Sequence, residues 1–390
     1  MAQLKEIDNV KESKRLFGLD HLRTLAIVLV FVFHYGRLFQ HPEWTNTISQ
    51  FGWSGVDLFF VLSGYLISSQ LFSNIAEHNA IPLRSFFIKR FFRIIPAYLF
   101  VVAIYFLFPF CREREELAPL WKYLTFTQNL GLDLRTQGTF SHAWSLCIEE
   151  QFYLFLPLIL ATLVYFKVFK KSYIIIVLLF AFGFFTRAYL WYKAVLPFKD
   201  QNDAWAYWYK WIYYPTFCRL DSLLSGVLIA AIFQFYPTIK TKLLPYGNQL
   251  LGLSIAVLAV AYFVCTDQET LLASIVGFSI VSVAYGLMVL SAICSTSILY
   301  KFNSRITATI ASLSYSIYLI HKITIHLTQE YFTCFSVEKD SNIMFLICII
   351  TTLISAFIMN RIIEKPFLHL RDKLLQNKLT GFSNTINDKL

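Results

Sequence analysis

Ten apolar runs, each about as long as a helix needs to cross a bilayer, constrain this chain more than any other feature. They lie near residues 20–40, 53–72, 94–110, 143–166, 173–190, 214–235, 248–265, 270–292, 308–330 and 342–362. None alternates as a membrane barrel strand does, so helix is the structure that satisfies their backbone groups in lipid. Composition agrees: of 390 residues 57% are hydrophobic and 15% charged, where a soluble domain carries roughly 25% charged. Disorder, collagen and a disulfide scaffold are excluded on the same ground. The expected fold is an all-α polytopic membrane protein, a bundle of about ten transmembrane helices.

A net charge of +10 would suggest nucleic acid in a soluble chain. Here the basic residues fall between apolar runs and read as topology signals, so no nucleic-acid partner is expected. Alternating the runs places 22 of the 34 Lys and Arg on the side that holds both termini and 10 on the other. Arg219 and Lys322 fall inside runs. The bias sets both termini in the cytoplasm. The polar start, MAQLKEIDNVKESKRLFGLD, leads into a full-length run and carries no cleavable-signal pattern. The chain divides into a cytoplasmic segment 1–18, a membrane domain 19–367 and a cytoplasmic tail 368–390. Cysteine labelling of intact cells tests this: a cysteine at Gln137 should be modified and one at Ser13 protected. The reverse pattern overturns the orientation.

The seven cysteines are single and widely spaced, with no CxxC and no metal-ligand spacing. No metal is expected. Cys111 and Cys334 fall on one side of the membrane, and spacing alone does not pair them. Of two long outer segments, 111–141 and 191–213, the second is rich in Trp and Tyr. The stretch AWAYWYKWIYY (204–214) is either an interfacial aromatic belt or a sugar-stacking platform at the outer mouth.

Ionisable side chains inside apolar runs are costly and mark function by default. His34 lies eleven residues beyond Arg23, about 16 Å along a helix. Glu149 enters from the opposite side to a depth of roughly 10 Å. Arg219 and Asp221 reach a comparable level, His321 and Lys322 arrive there from below, and Asp57 and Ser63 bracket it. So many polar groups at one level imply a shared cavity. His34 is either structural or catalytic; Arg219 and Asp221 are read first as satisfying each other or neighbouring helices. In IKRFFRIIP (88–96), Arg90 and Arg93 share a helix face at the cytoplasmic mouth, with Arg84 and Lys89 nearby. They are either topology anchors or a fork for phosphate oxygens. No P-loop or GxGxxG accompanies them.

Seven segments in order resemble the acyltransferase-3 family of integral membrane acyltransferases. They are LDHLRTLAIVLVFVFH (19–34), FGWSGVDLFFVLSGYLI (51–67), RSFFIKRFFRIIPAY (84–98), HAWSLCIEEQFYLFLP (142–157), CRLDSLLSGVLIA (218–230), SLSYSIYLIH (312–321) and EKPF (364–367). The resemblance covers nearly the whole chain. It implies a membrane O-acyltransferase, in the first place an O-acetyltransferase, of the bacterial inner membrane. Such an enzyme moves an acyl group from cytoplasmic acyl-CoA to a hydroxyl of an extracytoplasmic glycan such as O-antigen, exopolysaccharide or a lipid-linked saccharide. It further implies His34 and Glu149 as catalytic residues and Arg90 and Arg93 as the acyl-CoA contacts, with no permanently bound cofactor. His21 stands where the family commonly has Gly, a departure expected to matter little. No SGNH-type esterase domain follows EKPF, so a stand-alone transferase is expected.

General chemistry supplies a mechanism to test against the structure. Arg90 and Arg93 hold the CoA phosphates, a neutral His34 takes the acceptor's hydroxyl proton, and Glu149 orients that imidazole. Arg219 or Ser63 donates to the developing oxyanion. Arg23, Asp57, Trp144, Asp221 and His321 complete the candidate cavity and acceptor contacts. The rival from another class is a secondary transporter or glycan flippase, which also gathers charges at mid-membrane.

Overall fold

The computed structural model describes residues 16–169 and 172–387; the cytoplasmic start expected over 1–18 and the tail's last residues lie partly outside that range. The described chain is about 80% helical and has no strand. Its principal helices are α1 (Phe17–Leu38), α2 (Gly55–His78), α3 (Leu83–Leu107), α4 (Trp144–Tyr165), α5 (Ser172–Leu190) and α6 (Asp221–Phe235). They continue with α7 (Gly247–Val264), α8 (Phe278–Ile293), α9 (Arg305–Thr333), α10 (Asn342–Met359) and α11 (Lys365–Asn387).

Eight helical stretches among the described residues are long and apolar enough to cross a membrane. The other two expected runs form helices that depart from a simple span for opposite reasons. The run at 214–235 starts late, at Asp221, and is only 15 residues long. Pro215 and a 3-10 turn at Thr216–Cys218 interrupt its beginning, because proline lacks the N–H a continuing helix needs. The run at 308–330 forms a helix of 29 residues, but Ser314, Ser316, His321, Lys322, Thr324 and Thr328 lie buried along it. A helix wrapped by others on its polar face needs no apolar character there. The run at 94–110 begins earlier than expected, at Leu83, which puts Arg84, Lys89, Arg90 and Arg93 on the helix itself.

Close approaches of α1, α2, α6 and α8 set the centre of the bundle. A Cβ on Gly64 would collide with the Leu223 carbonyl, and one on Gly226 with the Val61 carbonyl. Small residues at such a crossing let backbones touch in a membrane, where lipid gives helices no hydrophobic reason to associate. Gly18 meets the Ala292 carbonyl in the same way. The α2–α6 contact places Asp57 against Arg219. His21 is not idle: its ring nitrogens contact Thr307 Oγ1 at 2.7 Å and the Phe302 carbonyl at 2.8 Å, tying α1 to the start of α9. Glu364 of EKPF is buried and accepts hydrogen bonds from Ser316 of α9 and from Asn360.

The connections at the far end of α1 are ordered by polar contacts as well as rings. Arg135 donates to Asp133 and Asp203, and its guanidinium lies 4.9 Å from the Tyr207 ring centre. These hydrogen bonds hold the Asp133 carboxyl down at about 2. All seven cysteines are free; Cys111 is buried and Cys334 exposed.

Candidate active site

Of the polar groups expected in one cavity, Ser63 and Glu149 line one, His34 lines another, and Asp57, Arg219, Asp221, His321 and Lys322 line neither. The first is a cleft of about 470 Å³ at the end of the bundle where α1 and α3 begin. Its mouth is lined by Arg23, Lys89, Arg90, Arg93 and Arg371, and its depth by Ser63, Ser145, Glu149, Tyr153 and Tyr318. Five cations on one rim suit a ligand with several negative charges. The i, i+3 spacing on α3 puts Arg90 and Arg93 on one face. The Arg90 guanidinium is steadied 5.1 Å from the ring of Tyr153, whose hydroxyl donates to Glu149 Oε2 at 2.8 Å.

The second cavity, about 540 Å³, opens where α1 ends. His34, Arg37, His142 and Trp144 line it, with Trp53, Trp205, Trp208, Tyr209, Tyr213 and Tyr214 forming aromatic walls. Asp267 and Glu269 stand at its edge. The stretch at 204–214 therefore faces inward as a cavity wall as much as outward as a belt.

His34 belongs to a cluster of three buried histidines. Ring centres lie 4.9 Å apart for His34 and His321, 4.9 Å for His142 and His321, and 5.7 Å for His34 and His142. The hydrogen bonds assign the tautomers. His321 Nδ1 sits 2.9 Å from the Tyr318 carbonyl and 3.1 Å from that of Ile317. Carbonyls only accept, so Nδ1 carries the hydrogen and Nε2 of the neutral ring keeps its lone pair. His34 Nδ1 lies 3.1 Å from that nitrogen and 2.9 Å from the Val30 carbonyl, so it too is the donor. In neutral His34 the lone pair is then on Nε2, the form a general base requires. Among the described residues no group of three ligand side chains is disposed to hold a metal ion.

Glu149 does not orient this imidazole, contrary to expectation. It lines the first cavity, at the other end of the bundle from the one His34 lines, and is held there by Tyr153. Arg219 and Asp221 do not pair with each other either. Arg219 donates to Asp57 at 2.9 Å, and Ser222 adds a second bond to that carboxylate. The Arg219 guanidinium is packed 3.9 Å from the ring centre of Phe278 and 4.6 Å from that of Tyr213. Asp221 receives a bidentate contact from Arg187 at 3.1 and 2.9 Å. Arg219, Asp57 and Asp221 line neither cavity; they brace the helices around them.

Three contributors were missed in the sequence. His142 stands in the HAWS segment from which only Trp144 was drawn. Arg187 stands near the end of the run at 173–190, yet its side chain is fully buried. Glu113, in the connection between α3 and α4, reaches Lys322 at 2.6 Å, and both side chains are fully buried. That ion pair anchors the connection directly beside the histidine cluster.

The two cavities nearly meet. Tyr318 Oη donates to the His142 carbonyl at 2.6 Å and lies 2.6 Å from Ser145 Oγ. Ser145 and Tyr318 line the first cavity, while His142 and Trp144 line the second. A layer one side chain thick separates them. Against this geometry, a family model described as an acyltransferase domain matches residues 16–361. The chain belongs to the acyltransferase-3 family. Among curated relatives, an O-acetyltransferase OatA of Staphylococcus aureus strain MRSA252 is 29% identical over 407 residues, covering 98% of this chain and 62% of its own. OatA of strain NCTC 8325 is 30% identical across 93% of this chain and 58% of its own length. The acyltransferase-3 chain described here thus spans about three fifths of the length of these relatives. No solved structure matches it.

Proposed function

We propose that this acyltransferase-3 protein is an O-acetyltransferase of the bacterial cytoplasmic membrane, taking acetyl from cytoplasmic acetyl-CoA and delivering it to a hydroxyl of an extracytoplasmic saccharide. One observation carries the proposal: a cation-rimmed cavity and an aromatic-walled cavity enter from opposite ends of the bundle and meet at a thin partition beside His34. The first suits the multiply phosphorylated head of CoA, whose pantetheine arm is long and thin enough to reach inward. Arg90 and Arg93 grip phosphate oxygens, with Arg23, Lys89 and Arg371 adding charge. Glu149, hydrogen-bonded by Tyr153, acts on the donor side, accepting from the amide N–H groups of the arm. The second cavity supplies what sugars are recognised by: aromatic faces for their C–H surfaces, and carboxylates and amides for their hydroxyls. His34 Nε2 is the base for the hydroxyl to be acylated. The charge bias of the connections supports a cytoplasmic position for the cation-rimmed mouth.

Coenzyme A release in proteoliposomes tests the reading, with acetyl-CoA as donor and N-acetylglucosamine, glucose and mannose oligosaccharides as an acceptor panel. Transfer to at least one saccharide is expected, and none to any would overturn it. Arg90→Ala and Arg93→Ala should each raise the KM for acetyl-CoA by roughly 10- to 150-fold, the worth of about 1.5–3 kcal/mol for a charged hydrogen bond. Acceptor KM should stay unchanged. Lysine at either position should rescue only partly, because it keeps the charge and loses the fork. An unaltered donor KM in folded protein would return the pair to topology signals.

A further inference from the structure

The hydroxyl of Tyr318 occupies the narrowest point between the two cavities. Its ring lines the donor cavity, and its Oη is bonded to the backbone of His142, which lines the other. Because Tyr318 gives its proton to the His142 carbonyl, Ser145 is the donor in the 2.6 Å contact between the two hydroxyls. Tyr318 and His321 are three residues apart on α9, so they share a face. One helix face thus carries the ring that holds the base and the hydroxyl at the point of contact with the donor side. An acyl group passing from a thioester in the first cavity to a hydroxyl activated by His34 must pass this oxygen.

Resting on the reading of the site given above, we propose that Tyr318 is a further catalytic residue, whose hydroxyl turns from the His142 carbonyl to the thioester carbonyl oxygen. As the acceptor oxygen bonds to the acyl carbon, its proton goes to His34 Nε2 and the carbonyl electron pair moves onto oxygen. Tyr318 donates a hydrogen bond to that oxyanion and keeps its proton. Collapse re-forms the C=O bond and breaks the C–S bond, and the departing thiolate takes the proton from His34. Rotation about a single C–O bond re-aims the tyrosine donor, with Ser145 holding its oxygen in place. Arg219, expected from the sequence as the oxyanion donor, lines neither cavity and is engaged with Asp57. Ser63 lines only the donor cavity.

Tyr318→Phe keeps the ring in the partition and removes only the donor. Using acetyl-CoA and the panel saccharide that the wild type acetylates, kcat should fall roughly 10²- to 10³-fold, as for loss of one oxyanion donor. Both KM values should remain near those of the wild type, the pattern of an interaction made only in the transition state. A wild-type kcat would overturn the proposal and leave the ring a plain wall. A rise in both KM values with kcat unchanged would do the same. Should the phenylalanine variant fail to accumulate, 3-fluorotyrosine at position 318 gives the same reading through its more acidic hydroxyl. A changed kcat at constant KM supports the role, and an unchanged one overturns it. Failure of the wild type on every panel saccharide would instead overturn the transferase reading itself.

Discussion

His34→Ala abolishes transfer while a folded protein that still binds acetyl-CoA remains in the membrane: that is the result expected if His34 Nε2 removes the hydroxyl proton. General-base catalysis is worth about 10²- to 10⁴-fold, and the donor rim lies in the other cavity, out of reach of the substitution. The competing account makes His34 a strut, since its Nδ1 meets both Val30 and His321. Loss of the ring leaves His321 Nε2 without its donor, at a cost of about 1–3 kcal/mol. The two accounts separate when turnover is compared at matched abundance. A variant that acylates the panel saccharide near the wild-type rate would end the base proposal. One that fails to bind acetyl-CoA would favour the strut.

The largest stability effect is expected at Asp57. Its carboxylate is the ion partner of Arg219, and neither side chain is more than 2% exposed. Asp57→Ala leaves a guanidinium buried among Trp144, Tyr213 and Phe278 with its counter-charge gone. Removing one member of a buried pair costs about 3–5 kcal/mol, because the remaining charge stays out of water. Thermal unfolding of the detergent-solubilised protein should show a clear drop in midpoint. Replacing both members, Asp57→Leu with Arg219→Met, should recover most of it, since the pair's attraction is largely offset by its own desolvation. A single variant as stable as the wild type would show that water reaches the guanidinium.

Helix positions were largely legible because apolar length is a direct demand of the bilayer. The departures at α6 and α9 have separate causes. Pro215 and the 3-10 turn after it shorten α6, whereas α9 is long enough but carries polar residues where protein covers it. The site was legible as a list of residues and illegible as an arrangement. Counting residues along a helix gives depth, and on that measure His34 and Glu149 coincide. That count started α4 at the surface, whereas Trp144 at its start already lines the second cavity, and the two residues lie on different sides of Tyr318. Pairings were harder still. Asp57 and Arg219 are far apart in sequence, and only the glycine contact between α2 and α6 brings them together. Arg187 stands near the end of a predicted run and Glu113 just beyond another, where a charged side chain ordinarily meets water. His142 carried one usable signal, a histidine directly preceding an apolar run that also holds Glu149.

The partition at Tyr318 has an electrical consequence. The cavities on its two sides, about 470 and 540 Å³, each have room for more than ten waters at roughly 30 Å³ apiece. Aqueous clefts entering from both faces carry the bulk potentials inward with them. The membrane voltage, spread over about 30 Å of hydrocarbon elsewhere, then falls mainly across one layer of side chains. A whole charge crossing that layer exchanges close to the full 2.3 kcal/mol per 100 mV, although it travels only a few ångströms. On the proposed function, an acetyl group, being neutral, would cross without feeling the field. A proton moving between His34 and a sulfur on the far side would feel nearly all of it.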